Sequence, residues 1–95
     1  MKLQKYLQPF AEGTLSFMLP RTGKVIEVSF EFGQLSLVAM SDDQDISQLS
    51  RKIVVVQCKP AKPGFSNYNV DQLKYLGSLN GHYGTSLYFI FEVES

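Results

Sequence analysis

The dominant hydrophobic period along this chain is two. In Lys24–Phe32, Ile26, Val28, Phe30 and Phe32 alternate with Glu27, Ser29 and Glu31, which gives a strand one apolar and one wet face. After the short connection Gly33-Gln34, Leu35, Leu37 and Ala39 alternate with Ser36, Val38 and Met40. The two runs predict a β-hairpin, with Gly33 supplying a permissive backbone. Thr14–Leu19 places Leu15, Phe17 and Leu19 on one side, and Lys2–Leu7 does the same with Leu3, Lys5 and Leu7. Ser86–Val93 sets Leu87, Phe89, Phe91 and Val93 opposite Tyr88, Ile90 and Glu92. Lys52–Cys58 contains the β-branched run Ile53-Val54-Val55-Val56, the pattern of a strand buried on both faces. These segments predict a mainly β domain spanning residues 1–95. Its form is a small antiparallel β-sandwich or barrel of about six to seven short strands, with at most one or two short helical turns.

Two segments admit both states. Ser41-Asp42-Asp43-Gln44 matches a capping box, and Ile46, Leu49 and Ile53 follow at helical spacing. An acidic loop is the equal alternative. Val70, Leu73 and Leu76 before Gly77 resemble a short helix with its C-cap. Leu73, Tyr75 and Gly77 read equally as one face of a strand. The strand is preferred because it leads into Asn80-Gly81-His82-Tyr83-Gly84, a hairpin loop before the last strand. Lys59–Asn69, with Pro60, Pro63 and Gly64, is the longest predicted loop.

Composition narrows the function. The chain has 95 residues, 44% hydrophobic and 19% charged, which suits one globular core. Nine basic residues balance nine acidic ones, which disfavours a nucleic-acid binder relying on excess Lys and Arg. The charges run in blocks: basic up to Lys24, acidic from Glu27 to Asp45, basic from Arg51 to Lys62. Such blocks leave cations for a small anionic ligand, or let copies pair. A single cysteine, Cys58, excludes an internal disulfide and suits a reducing compartment, hence a cytoplasmic location. There is no apolar run of signal-peptide or membrane-spanning length, so no membrane association is expected.

Catalytic and metal chemistry find little support. Cys58 and His82 are the only soft ligands, short of a zinc set, and no cofactor motif is present. Asp42, Asp43 and Asp45 resemble the start of a calcium loop but lack its central Gly. His82 reads as a surface turn residue, and Cys58 at the end of a β-branched run as a buried thiol. The expectation is a protein that is not an enzyme. Aromatic residues offer more. Most Phe fall on apolar faces and read as core, whereas the Tyr fall on alternate faces or in loops, where they can stack a planar base. The candidate ligand contacts are Arg21, Lys24, Arg51 and Lys52 for phosphate and Tyr68, Tyr75 and Tyr83 for stacking. Asn80 and His82 stand beside Tyr83.

The order of these segments carries a resemblance. Leu19-Pro20-x-x-Gly23-Lys24-Val25-Ile26-x-Val28 is followed by Gly33-Gln34-Leu35-Ser36-Leu37-Val38-Ala39-Met40, then by the basic strand Arg51-Lys52-Ile53-Val54-Val55-Val56. Tyr75-Leu76-Gly77-Ser78 and Leu87-Tyr88-Phe89-Ile90-Phe91-Glu92 close it. The series resembles a phage family of small β-domains that includes the type I Thoeris anti-defence proteins, the cyclic-nucleotide sponges. The chain departs from that pattern after the basic strand, where it reads Gln57-Cys58-Lys59-Pro60. The resemblance implies non-enzymatic sequestration: an oligomeric trap, in the cytoplasm of a bacterial host, for cyclic ADP-ribose-type signals or cyclic oligonucleotides. The alternative is an anti-CRISPR-like module that inhibits a host defence protein by binding it through a sheet edge or the Lys59–Asn69 loop.

Overall fold

The alternating segments become seven strands in the computed structural model, which describes residues 1–58, 68–81 and 86–94. They are β1 (Lys2–Pro9), β2 (Gly13–Leu19), β3 (Lys24–Glu31), β4 (Gln34–Ser41), β5 (Leu49–Gln57), β6 (Leu73–Gly81) and β7 (Ser86–Val93). A 3-10 turn, Val70–Gln72, precedes β6. All pairings are antiparallel and form two sheets, ordered β1-β4-β3 and β2-β5-β7-β6. Among the described residues no helix is long and apolar enough to cross a membrane.

The core lies between the sheets. Leu35 and Leu37 of β4 meet Phe17, Leu19, Ile53, Val55, Leu79, Tyr88 and Ile90 from the four-stranded sheet. β5 is buried on both faces, as its β-branched run predicts: Ile53 and Val55 point inward, Val54 outward, and all three are buried. The segment after Ser41 is a loop rather than a helix, and the segment from Leu73 is a strand.

Several faces differ from the sequence reading. β3 ends at Glu31, and Phe32 and Gly33 form the two-residue turn to β4, with φ of 49° and 78°. Positive φ at both positions is the geometry whose twist matches the flanking strands. It swings Phe32 off the strand's apolar face into solvent, where the side chain is fully exposed. Phe17 is core, but Phe30 is also exposed, and Phe89 and Phe91 lie on the outer side of β7, opposite the buried Tyr88, Ile90 and Glu92. Cys58, expected buried, is exposed, because it lies just past the last residue of β5. In β6 the register slips between Tyr75 and Gly77. That bulge at Leu76 puts Gly77 on the inner side with Ile90, while Leu73 and Tyr75 face out.

The two seams between the sheets are unequal. β3 packs closely on β6, where a Cβ on Gly77 would come within 2.5 Å of Val28 Cγ2. β1 and β2 barely touch, and a cleft opens between them.

Candidate functional site

The outer face of the four-stranded sheet carries the densest set of candidate residues. Thr14 pairs with Val54, Val54 with Phe91, and Phe91 with Tyr75, so these four form one row across β2, β5, β7 and β6. Val56, Phe89 and Ser78 form the next row. The Tyr75 ring lies 5.7 Å from that of Phe91, edge-on, and 6.3 Å from that of Phe89, tilted. Edge and tilted packing of this kind leaves ring faces for a further planar group. Tyr75 remains 55% exposed above its neighbours. Lys52 and Asn80 project from the same face, Lys52 beside Ser16 on β2 and Asn80 beside Leu87 on β7. The Tyr68 hydroxyl lies 3.4 Å from Thr14 Oγ1, which brings this residue to the same surface. Lys52, Tyr68, Tyr75 and Asn80 therefore share one face, with Phe89 and Phe91 as its floor.

The other cations go elsewhere. Arg51 and Lys52 are adjacent on β5, so their side chains take opposite faces. Arg51 turns inward, where Nε and Nη2 donate to the two Glu92 carboxylate oxygens at 2.6 and 2.8 Å. Its Nη1 donates to the carbonyls of Gly23 at 2.6 Å and Pro20 at 3.3 Å. These contacts pin the turn between β2 and β3, and they occupy the guanidinium that the sequence offers to phosphate. Arg21 lies within that turn and Lys24 begins β3 in the other sheet; both are exposed. Tyr83 and His82 lie outside the described residues, as does most of the Lys59–Asn69 loop.

A second concavity fills the open seam. This cleft of about 230 Å³ is lined by Lys2, Gln4 and Tyr6 of β1, Met18 and Pro20 at the end of β2, and residues 45–48. Its loop wall is fixed by Asp45. One carboxylate oxygen accepts from Thr22 N at 2.8 Å and Thr22 Oγ1 at 2.6 Å, the other from Ser47 N at 2.8 Å and from the Ser47 hydroxyl. Those bonds hold the Asp45 carboxyl far below the usual carboxylate range, the Ser47 hydroxyl contributing most. Lys2 Nζ donates to the Asp45 carbonyl at 2.8 Å, and Tyr6 OH to Gln4 Oε1 at 3.1 Å. Partial burial, and then the Asp45 charge, push the Tyr6 phenol up from its ordinary value. At this volume the cleft admits a single side chain or small fragment rather than a nucleotide.

Sequence reasoning missed Phe89 and Phe91 as a surface floor, because apolar residues in a strand read as core. It also missed the cleft, whose walls come from separate segments. The one local trace is β1 itself, where the polar Gln4, Tyr6 and Gln8 share the inward face with Leu37 across the pair. Among the described residues no group of acidic, His or Cys side chains is arranged to hold a metal ion. No family model matches the chain, and neither a curated protein nor a solved structure is significantly similar to it.

Proposed function

We propose that the protein is a phage-encoded anti-defence module that sequesters a cyclic nucleotide signal, of the cyclic ADP-ribose or cyclic oligonucleotide type, without cleaving it. The observation that carries this reading is the aromatic face. Tyr75 stands half-exposed against Phe89 and Phe91, with Lys52 and Asn80 projecting from the same sheet face. Such a face stacks a purine, and a neighbouring ammonium and amide meet phosphate and ribose. The strand order that resembles the sponge family supports the ligand class. Sequestration requires tight binding and slow release, not stabilisation of a transition state.

The test is a melting-temperature shift with a panel of cyclic ADP-ribose isomers and cyclic di- and trinucleotides, followed by denaturation and chromatography. The expected result is a shift with one ligand and its recovery intact. Tyr75→Ala weakens that binding by roughly five- to a hundredfold, the worth of one stacked base. No shift across the panel overturns the reading, and recovery of a cleaved nucleotide replaces it with an enzyme.

A second reading is favoured by the border of the same face. Leu73, Leu87 and Val93 surround the aromatic floor, and β6 is the edge strand of its sheet. An apolar rim beside an edge strand suits a protein partner, here a host defence protein. Stoichiometric capture of one host protein by the wild type, lost with Tyr75→Ala and unaffected by nucleotide, selects this reading over the first.

A further inference from the structure

We propose that the outer face of the three-stranded sheet is a self-association surface that takes the same face of a second copy of this chain. The first observation is the pleat of β1. Leu3 pairs with Met40, Lys5 with Val38 and Leu7 with Ser36. All of these lie opposite the core-facing Leu35, Leu37 and Ala39, so they point away from the sandwich. Leu3 and Leu7 are 58% and 46% exposed, while the polar Gln4, Tyr6 and Gln8 take the inward side. A one-residue register shift would exchange these two sets, so a strand with leucines outside and glutamines inside runs against the usual determinant of register. The open cleft accounts for the inward Gln4 and Tyr6, which line it. Among the described residues nothing accounts for the outward leucines. Val38 and Met40, half-buried on β4, join them into one apolar strip.

The second observation is charge, and it selects the occupant. The β1 side of this face carries Lys5, and the β3 side carries Glu27 and Glu31. Lys5 reaches Glu31 Oε2 at 2.9 Å across the sheet. This pair makes the face a dipole perpendicular to its strands. A two-fold axis parallel to β4, lying between two such faces, sets the β1 side of one copy over the β3 side of the other. Each Lys5 then meets the acids of the other copy, and Val38 and Met40 meet their equivalents at the centre. Glu27 makes no ion pair among the described residues and is available to that Lys5. Lys24, at the end of β3 beside Met40, falls over Leu3 of the other copy, where no charge opposes it. The arrangement is isologous, as a two-fold contact must be, and it aligns the strands of the facing sheets.

Size sets the strength. Three strands about 4.8 Å apart and about 3.3 Å per residue give a face of roughly 400 Å², the range of weak, concentration-dependent association. The experiment is sedimentation velocity on the full chain over a thousandfold concentration range. The expected result is a mass that doubles as concentration rises. Val38→Arg, at the centre of the face, keeps the chain monomeric with an unchanged far-UV spectrum and melting profile. Lys5→Glu weakens the dimer about tenfold or more, and adding Glu27→Lys and Glu31→Lys restores it by inverting the dipole. A monomer at every concentration overturns the proposal, as does a dimer that Val38→Arg leaves intact. Val38 lies on the sheet opposite Tyr75, so the mass readout and the nucleotide shift fail independently.

Discussion

Arg51 and Glu92 form a two-pronged ion pair on the inner face of the four-stranded sheet, with Nε–Oε2 at 2.6 Å and Nη2–Oε1 at 2.8 Å. Their side chains are 18% and 11% exposed, so neither charge is well hydrated. The pair also holds the Pro20 and Gly23 carbonyls, and so joins the turn entering β3 to the middle of the other sheet. Removing either partner leaves a desolvated charge, and removing Arg51 also takes the side-chain donor from the Gly23 carbonyl. Arg51→Ala and Glu92→Ala are each expected to lower unfolding stability by about 3–5 kcal/mol. The joint replacement Arg51→Met with Glu92→Leu recovers much of that loss, because no unpaired charge remains. Urea titrations measure all three. A loss below about 1 kcal/mol for the single changes would place this pair with ordinary surface bridges.

The closed seam depends on a missing side chain. A Cβ on Gly77 meets Val28 Cγ2 at 2.5 Å, closer than real carbons approach. Gly77→Ala is expected to cost about 1–3 kcal/mol through overpacking. Val28→Ala alone costs stability by leaving a void, but it removes the atom that collides. The double variant is therefore less destabilised than the sum of the two, by about 1 kcal/mol or more. Additive losses in a thermal-unfolding cycle would show that β3 and β6 are not in direct contact here.

The period of two was enough to place the strands, because alternation is a property of each segment by itself. It does not say which of two faces is inside. In β7 the more apolar set, Leu87, Phe89, Phe91 and Val93, faces out, and the set containing Glu92 faces in, because Arg51 across the sheet neutralises that carboxylate. In β6 the slip between Tyr75 and Gly77 reverses the face from one residue to the next, and no local pattern announces it. The same limit governs the site. Tyr75 was legible as an amphipathic residue on a strand, but its floor of Phe89 and Phe91 required knowing which side of β7 is wet. Of the four phosphate candidates, Arg51 and Lys52 are adjacent in the chain, and adjacent residues necessarily diverge on a strand.

Asp45 gives stability a defined acid limb. Its carboxylate accepts bonds from Thr22 and Ser47, which depress its folded-state pKa well below the ordinary 3.8. The unfolded chain takes up this proton first as pH falls. The contribution is thus fully present above about pH 4 and is lost as pH drops toward the folded value. Glu31, lowered by Lys5 and Ser36, acts in the same direction. Asp45→Asn is expected to melt lower than wild type near neutrality and to lose less on acidification. Melting temperatures from roughly pH 2.5 to 7 report the difference. An Asp45→Asn variant that keeps the wild-type acid slope would show that these bonds do not persist in solution.

Phe32 occupies the left-handed region at φ 49° with its side chain 101% exposed. A bulky residue carries a conformational cost there, and this one offsets none of it by burial. The turn places Phe32 and Gly33 at two consecutive positive-φ positions, where Asn-Gly is the preferred pair. Phe32→Asn is therefore expected to stabilise the fold by about 0.5–1 kcal/mol, because Asn tolerates this region and no contact is lost. Phe32→Val, β-branched, is expected to destabilise by a similar or larger amount. Differential scanning calorimetry separates the two signs. If Asn lowers the melting temperature, the phenyl ring makes a stabilising contact in solution, and the hairpin tip is not the solvated turn that its exposure indicates.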